Sequence, residues 1–308
     1  MDEAPIICKS SCMADADINS IQRPLHTRLA ERLPPHLFFV VSAVFHYLGP
    51  AFAVLLFASV QPLGVAWLRI ATAALVFALW RRPWRHAFWQ DARARWNIVA
   101  LGVVLGGMNI CFYLAIARLP LGTVGAIEFL GPIALALAGA RTRRNVVALA
   151  VAVAGVWMLM HMRIADTPMG FVFAFANCGL FVLYIVLGHR VAEDGGGAGI
   201  DRLAAAMLVA LLVVMPFGIR DATVAFVSPP LLVAGIGIGV SSSVIPYVCD
   251  QLAMARLPRA TFALLLALLP ATASVIGLVV LHQIPTSTEM TGIALVIVGV
   301  SLHRARHR

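Results

Sequence analysis

Apolar runs of about 17 to 25 residues recur along the chain from Leu37 almost to its C-terminal end, and they restrict the fold more than any other feature. At a rise of about 1.5 Å per residue, a helix of that length matches a hydrocarbon core of roughly 30 Å. Barrel strands would instead give short segments alternating with period two, and the runs do not alternate. Of the 308 residues, 61% are hydrophobic and 12% charged, too few polar groups to cover a water-soluble domain. The expected class is therefore an all-α integral membrane protein. Its spans fall at approximately 37–58, 62–80, 97–117, 121–140, 145–161, 168–187, 203–219, 230–254, 259–281 and 289–302, which makes ten transmembrane helices.

Lys and Arg divide sharply between alternate connections. Nineteen lie on one side, among them Lys9, Arg81, Arg82, Arg85, Arg93, Arg95, Arg141, Arg190, Arg202 and Arg256; three, Arg118, Arg163 and Arg220, lie on the other. The positive-inside rule then places both termini in the cytoplasm, with the protein multi-pass in the inner (plasma) membrane. The same rule accounts for the net charge of +9 without nucleic acid, whose binding would need the arginines on one continuous exposed face. Residues 1–36 mix Asp2, Glu3, Asp15, Asp17 and Glu31 with bases and have no signal-peptide core, so a disordered cytoplasmic extension is expected there. Residues 303–308 form a basic cytoplasmic tail. Of five cysteines, Cys111, Cys178 and Cys249 fall inside apolar runs, and Cys8 and Cys12 precede them. An odd number without metal-like clustering argues against a disulfide framework or a zinc site.

The chain also repeats itself. Ala117-Arg118-Leu119-Pro120, with Thr123 and Pro132 after it, returns as Ala255-Arg256-Leu257-Pro258 with Thr261 and Pro270, at a constant offset of 138 residues that Cys111 and Cys249 share. With five spans in each copy, 37–161 and 168–302, an odd number of crossings turns the second copy over. Two inverted five-helix repeats follow, an arrangement that places a transporter's site near the midplane.

Ionisable residues inside apolar runs cost roughly 2.5 to 3.5 kcal/mol each on insertion scales, and three are present: Arg69, Glu128 and Asp250. Arg69 has three readings from sequence: a pair with Glu128, a substrate or proton role, or a side chain snorkelling to the interface. Asp250, near the inner end of its run, is open to solvation by water. Asn109 and His46 add a polar contact and a group that titrates near neutral pH, each equally a hydrogen-bonded structural residue. Proline removes the hydrogen bond to the carbonyl four residues earlier. Pro50 frees that of His46, Pro132 that of Glu128, Pro246 that of Ser242 and Pro270 that of Leu266. Such breaks at corresponding places in two copies point to a substrate site. Gly102 with Gly106, and Gly235 with Gly239, form faces of small residues suited to close helix packing.

The segments Ala66-Trp67-Leu68-Arg69, Gly106-Gly107-Met108-Asn109, Arg118-Leu119-Pro120-Leu121-Gly122, Glu128-Phe129-Leu130-Gly131-Pro132 and Pro246-Tyr247 through Asp250 to Arg256-Leu257-Pro258 resemble the drug/metabolite transporter superfamily of the EamA type, and within it the threonine/homoserine exporter branch. The resemblance covers nearly all of the chain after residue 36. It implies export of small solutes, most naturally amino acids, by proton antiport, with the family's second-span arginine at Arg69, its fourth-span acid at Glu128 and its eighth-span acid at Asp250. Leu269, His282 and Gln283 depart from the family's acids in the second copy. A drug, lipid or sugar-nucleotide transporter of the same fold is the alternative. No His-Glu-x-x-His or acid-rich diphosphate motif supports an enzyme, and no filter-like segment supports a channel. The reading calls for a small-molecule substrate, protons and the lipid bilayer as partners, leaves a homodimer open, and requires no cofactor or metal.

Overall fold

The computed structural model describes residues 34–139, 142–161, 167–192, 196–257 and 268–302. The N-terminal extension up to residue 33 and the tail 303–308 lie outside the described residues, as do Cys8, Cys12, Arg141, Arg163, Pro258 and Thr261. The described residues are mostly helical: α1 (Pro35–Leu56), α2 (Pro62–Arg81), α3 (Ala92–Ile116), α4 (Leu121–Glu128), α5 (Leu130–Gly139), α6 (Arg143–His161), α7 (Pro168–Ala192), α8 (Gly196–Phe226), α9 (Pro229–Gly239), a π-helical turn (Val240–Val244), α10 (Ile245–Met254), α11 (Leu268–Leu281) and α12 (Ser287–Leu302).

Local chemistry sets several of these starts. Proline opens α1, α2 and α9, where its missing N–H costs nothing. Asp91 caps α3 by accepting from the Arg93 and Ala94 amides. Thr286 and Glu289 form a reciprocal capping box on α12, the Thr286 amide donating to Glu289 Oε2 at 2.9 Å and the Glu289 amide to Thr286 Oγ1 at 3.2 Å. Gln283 Oε1 accepts from the Leu121 amide at 3.1 Å and so caps α4 from a distant loop.

The expectation of ten transmembrane helices is corrected by the structure. Among the described residues six helical stretches are long and apolar enough to cross a membrane: Leu37–Leu56, Pro62–Arg81, Ala92–Ile116, Pro168–Ala192, Ala198–Phe226 and Pro229–Met254. The others fall short for identifiable reasons. The 121–140 run is broken at Phe129 into α4 and α5. Helix α6 opens on Arg143, Arg144 and Asn145, which shortens its apolar part. The 259–281 run is described only from residue 268, and α12 has 16 residues, roughly 24 Å of helix. The division into two inverted five-helix halves rested on the count of ten and is corrected with it.

Helix α8 packs along α2 and α3, α7 along α3, α10 and α11 along α1, and α12 along α6. Small residues set the closest approaches. A Cβ on Gly102 would stand 2.6 Å from the Ala206 carbonyl oxygen of α8, and one on Gly239 would stand 2.9 Å from the Arg69 carbonyl oxygen of α2. Both glycine pairs noted in the sequence therefore serve helix packing, and the second brings α2 against the π turn. Large apolar side chains such as Leu75, Leu79, Trp157, Val233 and Val279 are exposed on the outside, where acyl chains rather than water suit them. Arg69, Asn109, Glu128, Asn177, Ser242, Ser243 and Asp250 are buried at the centre.

Candidate functional site

The π turn is the local feature on which the centre is organised. Pro246 has no N–H to offer the Ser242 carbonyl, and the chain between Gly239 and Ile245 widens into a turn of the kind often found at functional sites. Arg69 fills the opening: its Nη2 donates to the Ser242 carbonyl at 2.8 Å and its Nε to Ser243 Oγ at 2.7 Å. These bonds engage two of five guanidinium donors, and the charged group also lies 5.6 Å from the centre of the Tyr113 ring. At 4% exposure Arg69 is held inside the bundle instead of snorkelling to an interface.

Glu128 is the last residue of α4, and its carbonyl faces a break because Pro132 cannot donate to it. The end of a half-helix with carbonyls outward favours a cation, and the carboxylate adds to that preference. Its two oxygens accept from Tyr47 on α1 and Asn177 on α7, each at 3.0 Å. Among the described residues no ion pair joins Glu128 to Arg69, so the direct pair considered from sequence is absent in this conformation.

His46, Arg69, Asn109, Glu128, Asn177 and Tyr247, with Met108 and Phe112, line one small cavity of about 10 Å³, room for about one water molecule. Asn109 Nδ2 donates to the Ala66 carbonyl at 3.0 Å, but Asn109 Oδ1, Asn177 Oδ1 and the Tyr247 hydroxyl are buried without a hydrogen-bond partner. Leaving such atoms unpaired costs roughly 1 to 3 kcal/mol each, which a polar ligand or water in the cavity would offset. The His46 ring packs edge-on to Tyr47 at 5.3 Å and one turn before Pro50.

Asp250 stands apart from the cavity lining. One oxygen accepts from Ser42 Oγ on α1 at 2.5 Å and the other from the Tyr184 hydroxyl on α7 at 3.1 Å. Glu128 and Asp250 thus perform the same task at two heights, each joining α1 to α7 through one donor from each helix. Pro270 lies on α11 and does not line the cavity, its carbonyl accepting from Ser274 Oγ at 2.8 Å; Leu266, whose carbonyl it frees, is outside the described residues.

Sequence reasoning did not single out Ser42, Tyr47, Asn177 or Tyr184. One signal was available for two of them. The chain has four tyrosines, and Tyr47, Tyr113, Tyr184 and Tyr247 are all within apolar helices and at most 1% exposed, whereas membrane tyrosines ordinarily collect at the interfaces.

The model of the EamA-like transporter family matches residues 168–304, which hold Asn177, Tyr184, the π turn and Asp250. Over 252 residues the chain is 32% identical to the threonine/homoserine exporter RhtA of Escherichia coli (strain K12), covering 81% of this chain and 84% of that protein. The chain belongs to the EamA-type drug/metabolite transporter family. The threonine/homoserine exporter RhtA of Salmonella typhimurium (strain LT2) is 31% identical with the same coverage. A protein crystal structure superposes with a TM-score of 0.57 at 18% identity, over 87% of this chain and 95% of that one, and shares the fold. As a member of this family the protein is a multi-pass membrane transporter and not an enzyme. Among the described residues no group of His, Cys, Asp and Glu could hold a metal ion.

Proposed function

We propose that this transporter is an inner-membrane exporter of small neutral amino acids, threonine or homoserine in type, driven by proton antiport. The observation that carries the reading is the placing of a guanidinium with unused donors and a carboxylate at an open helix end around one small cavity. A zwitterion needs both: Arg69 for its carboxylate, and Glu128 with the freed carbonyl for its ammonium. Asn109, Asn177 and Tyr247 present unpaired polar atoms suited to a side-chain hydroxyl. The names of the relatives at 31–32% identity support the same substrate class. The cavity has room for about one water, so the site must open by helix movement before it admits any solute.

Antiport follows if substrate and proton compete for Glu128. An ionised Glu128 accepts from Tyr47 and Asn177 and holds α1 to α7. Protonation removes the charge that drew both donors and an ammonium, and so couples occupancy to the clamp between helices. The test is efflux from proteoliposomes loaded with a panel of amino acids, with and without an imposed pH gradient. Efflux of threonine or homoserine accelerated by an inward proton gradient is expected. Gradient-insensitive efflux would remove the antiport, and efflux confined to another solute class would remove the substrate.

A further inference from the structure

A second polar concavity lies at the end of the bundle away from Arg118. Arg93 and Asn97 of α3, Arg190 of α7 and Arg202 of α8, together with Asp91, line an open pocket of about 400 Å³. The side chains of Arg93 and Arg190 make no hydrogen bond or ion pair with any described residue, while Arg202 Nη1 donates to the Val191 carbonyl at 3.3 Å. A general excess of positive charge in the connections explains arginines at this end, but not why three converge on one pocket and two have no partner among the described residues. Nor does helix stability explain Arg93, which occupies the first turn of α3, where the helix dipole disfavours a cation. Trp80 and Trp84 are exposed at the same end, beside the Arg81–Asp201 ion pair, and Trp96 is exposed on α3 next to Asn97. Exposed tryptophans collect at the headgroup level of a bilayer, which sets the depth of the pocket.

We propose that this pocket is a recognition site for a phosphate ester, filled in the membrane by the headgroup of an anionic phospholipid. Arg93 and Arg190 supply two guanidinium groups with no partner among the described residues, Arg202 a third beside them, and Asn97 an amide donor. The site is separate from the Arg69–Glu128 cavity, so it stands whether or not the transport reading does.

The test uses the full-length protein in nanodiscs of phosphatidylcholine with increasing phosphatidylglycerol, with retained lipid counted by native mass spectrometry. Preferential retention of phosphatidylglycerol is expected, weakened about fivefold by each of Arg93→Gln and Arg190→Gln and about 25-fold by both. Arg118→Gln, at the other end, is the folded control and should leave retention unchanged. Glycerol 3-phosphate added at millimolar concentration separates the sources: failure to displace the lipid assigns the site to the headgroup, and displacement assigns it to a soluble phosphate ester and overturns the lipid as occupant. Equal retention of both lipids, or unchanged retention in a double variant whose thermal unfolding matches the wild type, overturns the phosphate site.

Discussion

Arg69 is the arginine that lines the central cavity, and its anchoring to Ser242 and Ser243 aims a fixed charge at whatever enters. Replacing it with leucine should make insertion easier, since the arginine is the costly residue in an apolar run, yet abolish transport. Glu128→Gln should behave differently. The amide keeps the shape and one acceptor oxygen for Tyr47 or Asn177 but cannot ionise, so exchange of substrate down its own gradient should persist while uphill export driven by a pH gradient is lost. Measuring counterflow and gradient-driven export side by side in both variants checks this contrast; uphill export by Glu128→Gln at the wild-type rate would shift the coupling role to Asp250 or His46. Arg69, Asn109, Glu128 and His46 were legible in the sequence because a charge or strong dipole in an apolar run is rare and expensive. Their partners were not. A hydroxyl or amide in a span is common, and Tyr47, Asn177, Ser42 and Tyr184 acquire meaning only from carboxylates 49 to 208 residues away.

The elements around the site are interrupted rather than continuous, and the interruptions carry the chemistry. Pro132 and Pro246 announce two of them in the sequence, at the α4–α5 break and the π turn. What the sequence could not announce was length. Counting apolar residues treats 121–140 as one rod, whereas the chain ends a helix at Glu128 and begins another at Leu130. The same interrupted region depends on close approach. A Cβ on Gly239 would lie 2.5 Å from Thr72 Cβ and 2.9 Å from the Arg69 carbonyl oxygen, so α2 would have to move away from the π turn. Gly239→Ala should therefore destabilise the protein by about 1 to 3 kcal/mol and slow transport out of proportion to that loss, because the moved backbone is that of Arg69. Gly237, whose added Cβ would meet nothing within 4 Å, is the matched control. Thermal unfolding and initial efflux rate measured on Gly239→Ala and Gly237→Ala separate the two effects; equal rates in both would show that the approach of α2 does not set the geometry of Arg69.

At the scale of the whole molecule, the packing gathers several of the described arginines at one end of the bundle. Arg81 pairs with Asp201 at 2.5 Å, and Arg93, Arg190 and Arg202 share one pocket, so the 82–91 connection, the end of α7 and the start of α8 lie at the same end of the bundle. Gln61, Arg118 and Asp221 share another pocket, and Arg118 shares a third with Gln283 and Ile284, which gathers 57–61, 117–120, 221–228 and 282–286 at the opposite end. Helix α2 runs from one set to the other. This segregation does not depend on how many helices qualify as spans, because it is fixed by contacts between loops. By the positive-inside rule the arginine-rich end is the one expected to face the cytoplasm, which labelling can test. In a variant without native cysteines, single cysteines in 82–91 and 189–202 should react with an impermeant maleimide only after the membrane is opened. Val227→Cys and Ile284→Cys, both highly exposed positions at the other end, should react in intact cells. Labelling of all four sites from one side would contradict the packing, and a clean reversal of the two pairs would keep the packing but overturn the orientation.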